Sequence, residues 1–228
     1  MHVLVARDLA KTYGRGAAAV RALAGVTLEL LPGEVVAVRG RSGSGKTTLL
    51  NLVSGLDAPD EGTVHVLGHD LARLSTAERL ALRAREVGFV FQDPALVPEL
   101  TLLENAALAA RIRGFAPAAA REQARAALTA VGLRALADRF PAEVSGGEAQ
   151  RASVARALSK EPRLLLADEP TASLDHESAA LVADAIARFV REGERAAVVV
   201  THDDVMASRA TRSLRLRDGA LAPQELPA

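Results

Sequence analysis

Cysteine is absent from the 228-residue sequence. Its absence excludes disulfide bonds, thiolate metal sites and cysteine nucleophiles. A long hydrophobic run is also missing, because no segment approaches the roughly 18 consecutive apolar residues that a transmembrane helix needs. The start of the chain is interrupted by Arg7 and Asp8 and does not read as a signal peptide. We therefore predict a cytoplasmic location.

Net charge is lacking as well, since 28 basic side chains balance 28 acidic ones. No overall field draws the chain onto nucleic acid or anionic lipid, and we expect no nucleic-acid partner. Lysine is scarce, with Lys11, Lys46 and Lys160 as its only examples. Where arginine is the default cation, a lysine marks a place that needs a compact ammonium group. Apolar residues, at 49%, are sufficient for a buried core.

Short apolar runs rich in valine and leucine recur along the chain, bounded by glycine, proline or aspartate. They predict strands buried on both faces, at residues 35–38, 88–91, 164–167 and 196–200. Helical patterns lie between them, at residues 46–54, 178–191 and within 102–159. This alternation predicts an α/β fold with a mostly parallel sheet.

Two other sets of segments predict antiparallel strands at the periphery. The first is N-terminal, at residues 3–9, 26–31 and 63–66, and the second is a hairpin over residues 214–221 that turns at Asp218-Gly219. Residues 93–160 contain no convincing strand and predict a helical insertion. We therefore expect a single domain, with a core of residues 1–92 and 161–228 and a helical subdomain of residues 93–160.

A glycine-rich segment lies between the strand at residues 35–38 and the following helix. A glycine, four residues and then Gly-Lys-Thr form the phosphate-binding loop of P-loop nucleoside triphosphatases. Its glycines let backbone N–H groups face the phosphates, toward which the helix directs its positive dipole end. Lys46 is placed to contact the β and γ phosphates of ATP, and Thr47 to bind Mg²⁺. The predicted nucleotide-binding residues here are Gly40, Arg41, Ser42, Gly43, Ser44, Gly45, Lys46, Thr47 and Thr48.

Two carboxylates, Asp168 and Glu169, follow the strand at residues 164–167. This is the carboxyl edge of the sheet, where ligands of open α/β sheets bind. Asp168 is placed to hold Mg²⁺, and Glu169 to orient and deprotonate the attacking water. An isolated Asp-Glu pair is commonly a solvated strand end or a helix cap. The phosphate loop is what favours the catalytic interpretation.

His202 and Gln92 follow two other predicted strands at the same edge. His202 could donate a hydrogen bond to the γ-phosphate, and the Gln92 amide could contact metal or water. A lone histidine is more often structural, and a loop glutamine is ordinary. The predicted catalytic residues are Lys46, Glu169 and His202, and the predicted metal ligands are Thr47, Gln92 and Asp168.

A second glycine pair stands just before a predicted helix. Ser145 and Glu148 flank this pair and form a capping-box pattern, which is a sufficient structural explanation of the segment. Exposed glycines are poor helix formers, however, and they leave N–H groups and a dipole end open to an anion. The alternative is a second phosphate-binding surface made of Ser145, Gly146, Gly147 and Glu148.

Taken together, these motifs resemble the ATP-binding cassette (ABC) family along essentially the whole chain. Residues 145–151, Ser-Gly-Gly-Glu-Ala-Gln-Arg, are similar to the family's signature motif, although Glu148 and Ala149 replace glutamines often found there. The resemblance implies a head-to-tail homodimer. Each ATP then lies between the phosphate loop of one chain and the signature of the other.

The resemblance also implies roles for residues outside the phosphate loop. Tyr13 corresponds to the aromatic residue that stacks on adenine, residues 173–175 to a dimer-contact loop, and His202 to the switch histidine. Packing of Tyr13 in the N-terminal sheet, and capping of a helix by Asp175, would explain those two residues equally well.

Within the family, residues 89–92 and 96–105 are most similar to the lipoprotein-releasing and macrolide-exporting branch. Members of this branch pair with membrane subunits and often do mechanical work across the membrane. The resemblance therefore implies integral membrane subunits as partners, and a peripheral position on the inner face of the cell membrane.

Three other classes of protein share part of this pattern. The resemblance makes Gln92 the family's glutamine loop, and chromosome and repair ATPases carry a long coiled coil between this loop and the signature, whereas no sustained heptads occur here. A guanine-nucleotide switch is disfavoured because no Asn-Lys-x-Asp segment exists. A cassette that regulates a membrane or cell-wall partner without transporting a substrate stays open as the alternative function.

Overall fold

The computed structural model describes residues 1–223, in which strands and helices alternate. The strands are β1 (Leu4–Tyr13), β2 (Val20–Leu30), β3 (Val35–Arg39), β4 (Glu61–Val66), β5 (His69–Asp70), β6 (Val87–Val90), β7 (Leu164–Asp168), β8 (Ala196–Val200), β9 (Arg212–Arg217) and β10 (Ala220–Pro223). The helices are α1 (Lys46–Val53), α2 (Thr76–Glu86), α3 (Leu102–Arg113), α4 (Pro117–Ala130), α5 (Gly146–Ser159), α6 (His176–Arg191) and α7 (Asp204–Ser208). In this described part of the chain, no helix is long and apolar enough to cross a membrane.

The larger sheet has the strand order β10-β9-β3-β8-β7-β6. Its neighbouring strands are parallel except for the β9–β10 pair. Alternate residues of each central strand face different halves of the core. Leu165 and Ala167 of β7 pack with residues of α3 to α6, whereas Leu164 and Leu166 pack with α1 and the smaller sheet. Both faces of the sheet are therefore covered, as the apolar runs predicted.

The smaller sheet is antiparallel, with the order β2-β1-β4-β5. Its strands β1 and β2 extend well beyond the predicted residues 3–9 and 26–31. Charged residues and bulges conceal this continuation in the sequence, because Asp8 has a positive φ of 51° and the β1–β2 register shifts near it.

The α/β class, the mostly parallel sheet, the antiparallel sheet and the helical insertion are confirmed. The C-terminal hairpin is confirmed, since β9 and β10 are antiparallel, and only its separation from the parallel sheet requires a correction. It turns at Asp218 and Gly219 with φ values of 51° and 76°, as a type I′ turn does. However, β9 lies parallel beside β3 and belongs to the main sheet, because its buried Leu216 completes the core there.

Candidate active site

The phosphate loop connects β3 to α1, and two of its glycines are sterically required. A Cβ on Gly40 would lie 2.4 Å from the carbonyl oxygen of Leu216. Gly45 has a φ of 99°, and a Cβ there would lie 2.3 Å from the carbonyl oxygen of Ala22. Both contacts are with backbone atoms that cannot rotate away. The loop is thus closely packed between β9 and β2, with its backbone fixed.

The Lys46 ammonium group lies over the loop. Its Nζ donates to the carbonyl oxygens of Gly40 at 2.9 Å and Arg41 at 3.1 Å. These contacts place a positive charge beside the backbone N–H groups at the start of α1, which is where phosphate groups bind to such a loop.

Thr47 and Asp168 bring an alcohol and a carboxylate together from α1 and β7. Thr47 Oγ1 donates to Asp168 Oδ2 at 2.8 Å. Burial raises the pKa of Asp168 above its usual value; the hydrogen bond from Thr47 opposes this shift, and the charge of Glu169 adds to it. An oxygen pair of this kind suits a hard cation such as Mg²⁺.

Glu169 follows β7 directly and has a φ of 49°, which is uncommon for a residue with a side chain. Its N–H donates to the Val200 carbonyl oxygen at 2.9 Å, which holds this backbone against the end of β8. Its Oε2 accepts from the backbone N–H of His202 at 3.2 Å and lies 2.9 Å from His202 Nδ1. The Glu169 carboxylate therefore accepts a hydrogen bond from the His202 backbone and lies in contact with the His202 imidazole.

A cavity of about 580 Å³ opens at this edge of the sheet. It gathers most of the predicted residues, namely Gly40, Arg41, Ser42, Gly43, Gly45, Lys46, Thr47, Thr48, Gln92, Asp168, Glu169 and His202. Ser44 does not line it, because this side chain lies on the other face of the loop beside Arg215 and Leu216.

Tyr13 lies beside the cavity rather than in its lining. It pairs with Val20, which does line the cavity, and its hydroxyl donates to Asp57 Oδ2 at 2.9 Å. Lys11 Nζ lies 3.0 Å from Asp57 Oδ1 and 5.4 Å from the Tyr13 ring centre. The Tyr13 side chain is thus held by Asp57 while the residue stays 43% exposed.

The four signature residues lie outside the cavity, at the start of α5. Ser145 Oγ accepts from the Glu148 N–H at 3.2 Å, and Glu148 Oε2 accepts from the Ser145 N–H at 2.8 Å. The capping-box interpretation is therefore confirmed. Gly146 is exposed, and nothing lies within 4 Å of a Cβ placed on it, so packing alone does not explain this glycine.

Three structural contacts were not predicted from the sequence, although Gln150 itself lies within the signature segment. Asp57 holds Tyr13, as described above. Gln150 and Arg156 connect α5 to the segment around Gln92, because Gln150 Nε2 donates to the Phe91 carbonyl oxygen at 3.2 Å and Arg156 Nη2 donates to that of Pro94 at 2.9 Å. The sequence carries no signal for these pairs, since each joins residues far apart in the chain.

The phosphate loop, the acidic strand end and the paired histidine define a P-loop nucleoside triphosphatase. The chain belongs to the ABC transporter family, whose model matches residues 23–172. It is accordingly an ATP-binding and ATP-hydrolysing subunit.

The alignments with relatives and with solved structures cover nearly the whole chain. It is 45% identical to the lipoprotein-releasing system ATP-binding protein LolD of Pseudomonas syringae and 44% identical to LolD of Bordetella pertussis. These alignments cover 96% of this chain and 96% and 95% of the two relatives. A dimeric structure of the ATP-binding cassette MJ0796 bound to ADP and Pi superposes with a TM-score of 0.90 at 34% identity, covering 99% of both chains.

Proposed function

We propose that this chain powers a transporter of the lipoprotein-releasing type, working as a head-to-tail pair beneath integral membrane subunits. The convergence of Lys46, Thr47, Asp168, Glu169 and His202 on one cavity is the observation that carries its catalytic part. The similarity to LolD proteins over 96% of the chain supports the transporter type.

The residues of the cavity divide the work of hydrolysis. The loop N–H groups and Lys46 bind and orient the phosphates, and Glu169 accepts a proton from the attacking water. His202 contacts the Glu169 carboxylate at 2.9 and 3.2 Å, and we expect its imidazole to donate a hydrogen bond to the γ-phosphate. The nearby positive charge stabilises the developing negative charge on the transferred phosphoryl group.

Mg²⁺ fits the Thr47–Asp168 oxygen pair, with Gln92 as a further ligand from the cavity wall. No cluster of three or more His, Cys, Asp or Glu side chains suited to a metal occurs within residues 1–223. Mg²⁺ in nucleotide sites usually keeps water and phosphate oxygens as ligands, so the protein would need to supply only one or two oxygens. When bound, the ion neutralises charge on the β and γ phosphates.

The second half of each site comes from a second copy of the chain. Ser145, Gly146, Gly147 and Glu148 lie outside the cavity of their own chain, and the N-terminus of α5, with its exposed Gly146, is suited to a phosphate group. Tyr13 stacks on the adenine base. The helical subdomain of residues 93–160 thus serves the partner's ATP, while the core of residues 1–92 and 161–223 binds its own.

A groove of about 440 Å³ is the proposed docking surface for the membrane subunits, which hold the chain peripherally at the inner membrane face. It is lined by exposed apolar side chains, including Leu56 (52% exposed), Leu80 (58%), Phe91 (42%) and Ile112 (58%). Clustered exposed apolar residues of this kind indicate an interaction site. Phe91 directly precedes Gln92, so this groove adjoins the active-site wall.

Glu169→Gln tests the catalytic assignment. The amide keeps the shape of the side chain but removes the base, so ATP should still bind while hydrolysis falls by on the order of 100-fold or more. Nucleotide binding and phosphate release, measured on the same preparation, check both parts. Near-normal hydrolysis by this variant would contradict the role of Glu169.

A further inference from the structure

Arg39 ends β3 and directly precedes the first glycine of the phosphate loop. Its Nη2 donates to the backbone carbonyl oxygen of His202 at 3.1 Å and lies 2.8 Å from Asp204 Oδ1. The Arg39 side chain is only 25% exposed, whereas that of Asp204 is 88% exposed. Arg39 is therefore a fixed cationic donor that bridges the ends of two strands.

His202, whose carbonyl oxygen accepts the hydrogen bond from Arg39, also holds Glu169, the proposed base. His202 donates to Glu169 Oε2 from its backbone N–H at 3.2 Å, and its Nδ1 lies 2.9 Å from the same oxygen. Strands β3 and β8 are parallel neighbours with Val38 opposite Val200, which places Arg39 beside the segment that follows β8. One side chain thus connects the strand that carries the phosphate loop to the segment that carries the switch histidine.

We propose that Arg39 is a positioning residue for ATP hydrolysis, fixing the His202 backbone so that His202 holds the Glu169 carboxylate toward the attacking water. This inference depends on the proposed roles of Glu169 and His202. A hydrogen bond from a charged donor to a carbonyl is stronger than a neutral one, whereas the exposed pair with Asp204 contributes little by itself. Displacements of about 1 Å at a reacting group cost on the order of 100-fold in rate.

Arg39→Met tests the proposal, because methionine keeps the apolar stem but removes every donor. It should lower kcat for ATP at least tenfold, while KM stays within about twofold because the phosphate loop is intact. Arg39→Lys should recover most of the lost kcat, since a single nitrogen makes both contacts and an ammonium group donates to both acceptors.

Arg209→Ala is the matched control. Arg209 Nε lies 2.8 Å from Asp184 Oδ1 and ties the end of α7 to α6, so its loss also loosens the segment after β8. The kcat of this variant should match that of the wild type. Equal losses in Arg209→Ala and Arg39→Met would show that Arg39 merely holds α7, and would overturn the proposal.

The Glu169→Gln background separates this proposal from the proposed function. Adding Arg39→Met there should not lower the residual hydrolysis further, because Arg39 acts through Glu169. A wild-type kcat for Arg39→Met, alongside an inactive Glu169→Gln, would overturn the positioning role alone. If Glu169→Gln hydrolyses ATP normally, the assignment of the base has failed instead.

Discussion

The phosphate loop can adopt its conformation because Gly45 has no side chain. Its φ is 99°, and an added Cβ would lie 2.3 Å from the Ala22 carbonyl oxygen and 2.9 Å from Leu23 Cδ2. Gly33, in the turn between β2 and β3, has a similar φ of 86°, but nothing lies within 4 Å of its Cβ position. Both positions require a left-handed backbone conformation. They differ only in whether the neighbouring atoms leave room for a Cβ.

Gly45→Ala should therefore raise the Kd for ATP by on the order of 100-fold, because the loop must move away from β2 to relieve the clash. Gly33→Ala should keep the wild-type Kd and lose only about 1–2 kcal/mol of unfolding free energy from the left-handed backbone. Nucleotide titration and denaturant unfolding of both variants measure the difference. Equal ATP affinities in the two variants would contradict the steric account.

Residues within one contiguous motif were predictable, since the spacing from Gly40 to Thr47 itself specifies the chemistry. Residues that act through distant partners were not. Tyr13 came from the family resemblance, but its anchor Asp57 lies 44 positions away and carries no pattern of its own. Arg39 reads as an ordinary strand end until the fold places it beside His202.

Helix α5 likewise combines features that the sequence predicted with contacts to distant residues that it did not. It was predicted from its cap and glycine pair, and its Gln150 and Arg156 hold the carbonyl groups of Phe91 and Pro94. The signature helix is thereby joined to the segment that carries Gln92 and borders the apolar groove.

Helix α2 was missed although its start carries a complete capping box of Ser75 and Glu78. Its Ala77, Leu80, Ala81 and Ala84 recur at helical spacing, although none of its residues is buried. Strands buried on both faces were predicted from the sequence. For example, β8 occupies the predicted residues 196–200, because its apolar run is continuous.

Ile112→Glu tests whether the groove is the docking surface for the membrane subunits. A carboxylate on this 58% exposed residue of α3 should abolish co-purification with integral membrane proteins, because an apolar partner cannot solvate the charge. ATP hydrolysis by the isolated chain should be unchanged. Leu181→Glu, at a 38% exposed position on α6 outside the groove lining, is the control and should retain the partners. If the Ile112→Glu variant still co-purifies with integral membrane proteins, the groove is not the docking surface.

At the scale of the whole molecule, the cavity holds only one of the two predicted phosphate-binding surfaces. The phosphate loop lines it, whereas the signature at the start of α5 does not. In the proposed pair of chains, Lys46 and Ser145 therefore serve the same ATP from different chains. Two damaged chains should then complement each other when they form a mixed dimer.

Mixing Lys46→Ala and Ser145→Arg chains, both in a Glu169→Gln background, tests this arrangement most directly. Ser75→Arg in the same background is the control for a lost cap, since it breaks an equivalent capping box on α2 at a cost of about 1 kcal/mol and should trap ATP normally. Each damaged homodimer has two broken sites and should trap no ATP. A mixed dimer restores one intact site and should trap up to one ATP, whereas verified mixed dimers that trap none would contradict the shared site.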